Sequence, residues 1–281
     1  MTASPTEPTG SAPPDPNRAV GTGVWIVLPT YDEADNIGPI SASILAALPG
    51  STLLVVDDNS PDGTGRLADE LAAADPRIRV RHRAAKQGLG RAYLDGFSVA
   101  LEGGAAIVVQ MDADFSHDPT ALPSLVGPIE RDRADLVIGS RYTRGGRVED
   151  WSLPRRLVSR GGSLFARIVL GLGPQDLTGG FKAWRAATLA AVSFDGIHAG
   201  GYVFQIETTF RASRAGARIH EVPIVFRDRR VGQSKMSRRI ISEALIVVLQ
   251  LWFEEQRARF TRRGRRGGPD ATPPGDGPGD R

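Results

Sequence analysis

Three apolar runs in this chain each end in acidic residues, and that recurrence limits the fold more than any other feature. Val24–Leu28 leads into Pro29-Thr30-Tyr31-Asp32-Glu33, Thr52–Val56 into Asp57-Asp58-Asn59-Ser60-Pro61-Asp62-Gly63, and Ala105–Met111 into Asp112-Ala113-Asp114. Runs of this length rich in Val, Ile and Leu read as buried strands, and the segments between them carry apolar residues at helical spacing. Strand alternating with helix predicts an α/β fold, a mainly parallel sheet flanked by helices on both faces. In such a sheet the acidic strand ends converge on one edge, where ligands of open α/β sheets bind. Alternation along an extended chain would also point Asp112 and Asp114 the same way, toward one hard cation or the diphosphate it bridges.

The expected elements follow from the same pattern. Helices are predicted over Ile37–Leu48, with Asp35 and Asn36 as capping candidates, and over Gly63–Ala74, Gly88–Leu101 and Leu122–Glu130; further strands are predicted over Ile78–His82 and Ala134–Gly139. Beyond Arg141 the polar, Gly-rich stretch Thr143–Asp150 reads as a lid-like loop. Pro154–Leu172 reads as a basic amphipathic helix that either presents a solvated face or meets lipid. Ser237–Phe260 is an apolar helix bracketed by arginines, with Glu243 and Gln250 interrupting it. An uninterrupted stretch of about 18 apolar residues is needed to span a bilayer, so this helix is expected to pack on the sheet or lie on a membrane surface, not to cross one.

The 281 residues, 41% hydrophobic, suffice for one large domain with appendages. With no cysteine and four histidines lacking zinc-site spacing, a metal would be held by oxygen. Residues 1–23 and 263–281, rich in Pro and Gly, read as disordered tails around a catalytic domain over 24–236 and a membrane-proximal amphipathic helix over 237–262. The arginines from Arg257 to Arg266 point to an anionic surface, and membrane lipid fits better than nucleic acid because no nucleic-acid motif accompanies them.

Eight segments together carry a specific resemblance. They are Leu28–Glu33, Val56–Thr64, Gly88–Tyr93, Met111–His117, Gly139–Tyr142, Asp176–Phe181, Gly201–Glu207 and Gly232–Lys235, spread between Trp25 and Lys235. The chain resembles glycosyltransferase family 2 and, within it, the polyprenol (dolichol) phosphate mannose synthases. That resemblance implies a GT-A (Rossmann-like) fold and transfer of mannose from GDP-mannose to a polyprenyl monophosphate, on the cytoplasmic face of a membrane. It places Pro29, Tyr31, Glu33, Val56, Asp58, Asp112, Ala113, Asp114, Arg141, Arg229 and Lys235 at the nucleotide-sugar site. Asp112 and Asp114 would hold Mg²⁺ or Mn²⁺, and Arg141, Arg229 and Lys235 would meet the phosphates. Ser116 stands where some relatives place a Gln ligand. Asp57 has two readings, nucleoside contact or the cap of the turn Asn59–Asp62. By the same analogy Glu207 is either a base or the partner of an arginine or of sugar hydroxyls.

Three rivals share parts of this pattern. A UDP-sugar-dependent polyprenyl phosphate glycosyltransferase, for glucose or N-acetylglucosamine, would keep the fold. An NAD-dependent dehydrogenase should follow its first strand with Gly-x-Gly-x-x-Gly, where this chain has Pro29-Thr30-Tyr31. A non-catalytic membrane adapter would have no reason to keep the charged constellation. The resemblance leaves anchoring to the two basic helices or to a separate integral membrane protein.

Overall fold

The structure, a computed structural model, describes residues 19–197, 200–228 and 238–266, the side chains of 202, 238–241, 243 and 258–266 excepted. Strands β1 (Val24–Thr30), β2 (Thr52–Asp57), β3 (Ile78–His82) and β4 (Ile107–Gln110) run parallel, linked by helices α1 (Ala34–Ala47), α2 (Thr64–Ala74) and α3 (Leu89–Glu102). After α4 (Leu122–Glu130) come β5 (Leu136–Ser140), the short β6 (Arg147–Val148), α5 (Leu153–Leu170), β7 (Lys182–Arg185) and α6 (Ala186–Ala191). The chain continues through α7 (Gly201–Arg214), β8 (Ile219–Pro223), β9 (Val225–Phe226) and α8 (Arg238–Arg266). The seven-stranded sheet has the order β3-β2-β1-β4-β7-β5-β8, with β7 alone antiparallel to its neighbours.

Period-two alternation explains how the sheet is covered on both faces. Along β1, Val24, Ile26 and Leu28 join a core with α1, α2 and α4, while Trp25 and Val27 join a second core with α3, α6 and α7. Gly96 lets α3 approach closely, since a Cβ there would lie 2.3 Å from Val27 Cγ1. A third cluster joins α5, α7 and α8 through Ala166, Leu170, Val203, Ile206, Phe210, Val247, Val248 and Leu251.

Several expected boundaries shift, each for a local reason. Strand β3 and helix α4 fall as predicted. Helix α1 begins at Ala34, earlier than expected, because its first amide is capped from outside by Asp62 Oδ2 at 3.0 Å; Asp35 and Asn36 lie inside the first turn. Strand β4 ends at Gln110, so Asp112 and Asp114 sit in a bent segment with Phe115 left-handed at φ 60°; strand alternation does not orient them. The Gly-rich stretch after Arg141 contains β6, which pairs with β9 and so ties part of the expected lid to the body. Helix α8 runs to Arg266, past the predicted boundary at 262.

Helix α5 inverts the usual burial of an amphipathic helix. At 3.6 residues per turn, Ser159, Ser163, Ala166 and Leu170 share the buried side, whereas Leu153, Leu157, Leu164 and Ile168 form a stripe on the far side. That stripe is open to solvent, Leu157 by 72% and Ile168 by 70%. Arg156, Arg160 and Arg167, all exposed, run alongside it. On α8, Leu245, Ile246, Leu249 and Phe253 are likewise exposed while Val247, Val248 and Leu251 are buried. Apart from Val20 and Leu89, every exposed large apolar side chain among the described residues lies on one of these two helices. No helix among them is long and apolar enough to cross a membrane.

Candidate active site

Strand order reverses at β1, which has β2 on one side and β4 on the other, and the crevice at such a switch point is where α/β sheets bind ligands. Non-glycine residues adopt left-handed backbone just beyond each of these three strands: Asp32 after β1, Asn59 after β2 and Phe115 after β4. That conformation costs energy for an L-residue and persists where neighbouring contacts over-determine it.

Around Asp32 and Asn59 the contacts that do so belong to the segment Asp57–Thr64. Asp57 accepts from the Ser60 hydroxyl at 2.6 Å, the Ser60 amide at 3.1 Å and the Thr30 hydroxyl at 3.2 Å, the bonds that the turn-cap reading calls for. Ser60 Oγ accepts from the Asp32 amide at 3.2 Å, and Thr64 Oγ1 from the Glu33 amide at 2.9 Å. Asp62 accepts from the Ala34 and Thr64 amides and from the Thr64 hydroxyl, and these bonds hold its carboxyl below the ordinary value against a partial burial that would raise it. The loops after β1 and β2 are thus laced into one rigid wall.

That wall, the loop before α3 and the acidic segment after β4 enclose a cavity of about 240 Å³ lined by Pro29, Tyr31, Glu33, Asp58, Lys86, Gly88, Asp112 and Asp114 among others. Six of the residues predicted from sequence therefore meet there. The side chains of Val56 and Ala113 belong to the two cores. Arg229 and Lys235 lie outside the described residues. Arg141 is 4% exposed and does not line this cavity; its Nε and Nη2 each donate to Asp176 at 2.7 Å, and Nη2 also to Thr178 Oγ1 at 2.7 Å. Burial alone would raise the Asp176 pKa, but the Arg141 charge outweighs it and holds the carboxylate below its ordinary value.

Asp58 also holds a neighbouring loop. Its carboxylate accepts from Arg83 Nη1, from the Gln87 amide at 3.0 Å and from the Gly88 amide at 2.9 Å. These bonds consume most of its acceptor capacity and shape the loop that carries Lys86, whose ammonium sits 3.3 Å above the Tyr31 ring. Arg83 and Lys86 have no distinguishing spacing in the sequence, so only the fold identifies them.

At the acidic pair, Asp112 Oδ1 accepts from Tyr93 Oη at 2.8 Å and Asp114 Oδ1 from the Ser116 amide at 3.0 Å. Burial, with Asp112 beside it, raises the Tyr93 pKa well above its usual value and keeps the phenol a donor. His117 Nδ1 accepts from the Asp112 amide at 3.3 Å, its ring stacked on Phe181 at 4.9 Å. Burial lowers its pKa against the pull of Asp112 and Asp114, so the ring stays neutral. Two carboxylates are a suitable donor set for an oxygen-preferring ion that completes its shell with phosphate oxygens and water. No group of three or more His, Asp or Glu able to hold an ion occurs among the described residues.

Away from this cavity, Glu207 is 1% exposed and bound by Arg211 at 2.6 and 3.0 Å, which supports the arginine-partner reading over a base. Arg155 pairs with Asp228 at 2.6 Å and lies 4.0 Å over the Trp151 ring, while Trp151 Nε1 and Arg155 Nε are buried with no hydrogen-bond partner among the described residues.

Comparison with known proteins agrees with this geometry. The sequence profile described as Glycosyl transferase family 2 matches residues 25–191. The chain is 48% identical to undecaprenyl-phosphate mannosyltransferase of Micrococcus luteus over 84% of this chain and 98% of that one. It is 45% identical to polyprenol monophosphomannose synthase of Mycolicibacterium smegmatis over 80% of this chain and 85% of that one. Among solved structures it resembles glucosyl-3-phosphoglycerate synthase of Mycobacterium tuberculosis in complex with Mn²⁺, UDP and phosphoglyceric acid, with a TM-score of 0.62 and 23% identity over 83% of this chain and 79% of that one, a likeness of fold. With its acidic pair at the switch point of a GT-A sheet, a family profile over residues 25–191 and a relative 48% identical over 84% of it, the chain belongs to glycosyl transferase family 2.

Proposed function

We propose that the protein transfers mannose from GDP-mannose to a polyprenyl monophosphate at a membrane surface, forming polyprenyl phosphate mannose with inversion at the anomeric carbon. The observation that carries this reading is the meeting of Tyr31, Glu33, Asp112 and Asp114 around one cavity in a chain whose full-length relatives bear mannosyltransferase names. Tyr31 offers a ring face to the nucleobase, and Glu33 is the carboxylate of that wall suited to its N–H edge or to ribose hydroxyls.

Asp112 and Asp114 would hold Mg²⁺ or Mn²⁺, which supplies positive charge to the diphosphate as the sugar bond breaks. The chain's own part is to fix those carboxylates, through Tyr93, His117 and the Ser116 amide, and to keep the cavity walls rigid. A phosphate monoester is largely dianionic at neutral pH, so the acceptor attacks without a general base, in keeping with a Glu207 already bound to Arg211. Arg229 and Lys235 remain candidates for the phosphates, whereas Arg141 acts at one remove by anchoring Asp176 and the loop that follows it. The apolar stripes of α5 and α8, with Arg156, Arg160 and Arg167 exposed beside that of α5, support peripheral contact with the membrane that holds the acceptor.

The test is transfer of labelled sugar to a polyprenyl phosphate with Mg²⁺ or Mn²⁺, offering GDP-mannose and UDP-glucose side by side. Wild type should form a metal-dependent mannolipid, and Asp114→Ala should lose about a hundredfold or more of that rate. Transfer from UDP-glucose alone would replace the donor, and no transfer from either would overturn the assignment.

A further inference from the structure

A buried chain of amides leads from the core of the sheet to the acidic pair, and its orientation follows from one donor. Trp184 on β7 has a single polar atom, an N–H that can only donate, and it donates to Gln110 Oε1 at 2.7 Å. Gln110 must therefore turn its Nε2 the other way, where it donates to Gln205 Oε1 at 3.5 Å. That in turn points Gln205 Nε2 away from the core. The main chain is held as firmly: Lys182 Nζ donates to the Gln205 carbonyl at 2.7 Å and to Thr209 Oγ1 at 2.9 Å.

Gln205 is 3% exposed, yet among the described residues its Nε2 has no hydrogen-bond partner. Among the described residues the fully buried side-chain atoms without a partner are Trp151 Nε1 and Arg155 Nε, so Gln205 Nε2 retains some exposure and is free to donate to water or to a ligand hydroxyl. The place for one lies beside Gly180. A Cβ there would stand 3.4 Å from Gln205 Nε2, 3.6 Å from Asp112 Oδ2 and 3.8 Å from His117 Cε1, ordinary contacts around a methyl-sized gap. A donor on one side and a carboxylate on the other suit a hydroxyl, which accepts and donates at once.

We propose that the gap at Gly180 receives a hydroxyl of the transferred sugar, hydrogen-bonded by Gln205, with Gln110 and Trp184 as positioning residues. The inference rests on the sugar-nucleotide reading above and adds a sugar contact to it. Site logic supports a sugar over a nucleobase, because the base-binding wall with Tyr31 and Glu33 lies on the other side of the acidic pair in the strand order.

The experiment compares Gln205→Leu, Gly180→Ala and Trp184→Phe with wild type, measuring GDP affinity by calorimetry and kcat/KM for GDP-mannose. Gln205→Leu and Gly180→Ala should each lower kcat/KM at least tenfold with GDP affinity unchanged, since a sugar contact is absent from the bare nucleotide. Trp184→Phe keeps the ring and removes only the orienting N–H, and should cost about threefold to tenfold with the same split. Losses under threefold in both of the first two variants, or equal losses for GDP and GDP-mannose, overturn the proposal. If wild type accepts only a UDP-sugar, the donor assignment fails separately and the same comparison is made between UDP and that sugar nucleotide. If it transfers neither, the affinities for nucleotide and sugar nucleotide decide alone. Melting curves of the three variants identify a loss caused by unfolding, and Trp184→Phe then carries the test.

Discussion

Asp58 lines the cavity as expected and also has partners of its own in the fold. A carboxylate at the end of β2 suits a nucleobase, but here it is bound by Arg83 and two amides of the loop before α3. The loop carrying Lys86 thereby becomes part of the cavity wall. If Asp58 acts by shaping that loop, Arg83→Met should weaken GDP binding about as much as Asp58→Asn, roughly tenfold each, and the double variant should be little worse. A direct base contact would instead leave Arg83→Met near wild type while Asp58→Asn fails, and calorimetry on the three variants separates the two. Arg141 is a parallel case: its guanidinium is bound through Nε and Nη2 to the buried Asp176 carboxylate and so helps to hold the loop that follows Asp176.

At the scale of elements, the mixed half of the sheet depends on an ion cluster at one edge. Asp135, just before β5, accepts from Arg185 Nε of β7 at 3.1 Å and from Arg218, ahead of β8, through its amide and Nε at 2.9 Å each. Three chain segments that are distant in sequence are joined there. Hydrogen bonding from the Arg218 side chain is the main cause that drives the Asp135 carboxyl well below its ordinary value, against partial burial. Because the folded-state pKa is depressed, the stabilisation is present above the unfolded value, about 3.9, and fades as pH falls below it toward the folded value. Asp135→Asn should therefore lower Tm by a few degrees at pH 7, for a cost of about 1–2 kcal/mol, and the gap to wild type should narrow in melts below about pH 4.

Over the whole molecule the two cores are spent on the sheet, and a third cluster holds α5 and α8 by their small or inward residues. What remains on the outer side of both helices is leucine, isoleucine and phenylalanine, with arginines beside the α5 stripe. Such a surface fits an interfacial helix pair, in which apolar side chains enter the acyl boundary and cations meet anionic headgroups. Leu157→Asp combined with Ile168→Asp should reduce sedimentation with anionic phospholipid vesicles at least tenfold, because each exposed apolar side chain contributes about 1.5–3 kcal/mol when buried. Tm should be unchanged, since both positions are open to solvent, and unchanged vesicle binding would remove this face from the membrane contact.

By itself the sequence determined the strand-and-helix alternation and the convergence of acidic strand ends, because these depend on local periodicity and on residue types at short spacing, and its motifs carried the resemblance to the family. Thus β3, α4 and the meeting of Tyr31, Glu33, Asp58, Asp112 and Asp114 were legible without coordinates. Only tertiary structure decided which charges were already paired and which faces were covered. Arg83 reaches Asp58 across 25 residues, Arg141 reaches Asp176 across 35, and Trp184 reaches Gln110 across 74. Whether α5 buried Leu153, Leu157, Leu164 and Ile168 or the face with Ser159, Ser163, Ala166 and Leu170 likewise depended on what packed against it, and the answer was the latter. Hydrogen bonding and burial are properties of neighbours in space, and a chain records its neighbours in space only once it has folded.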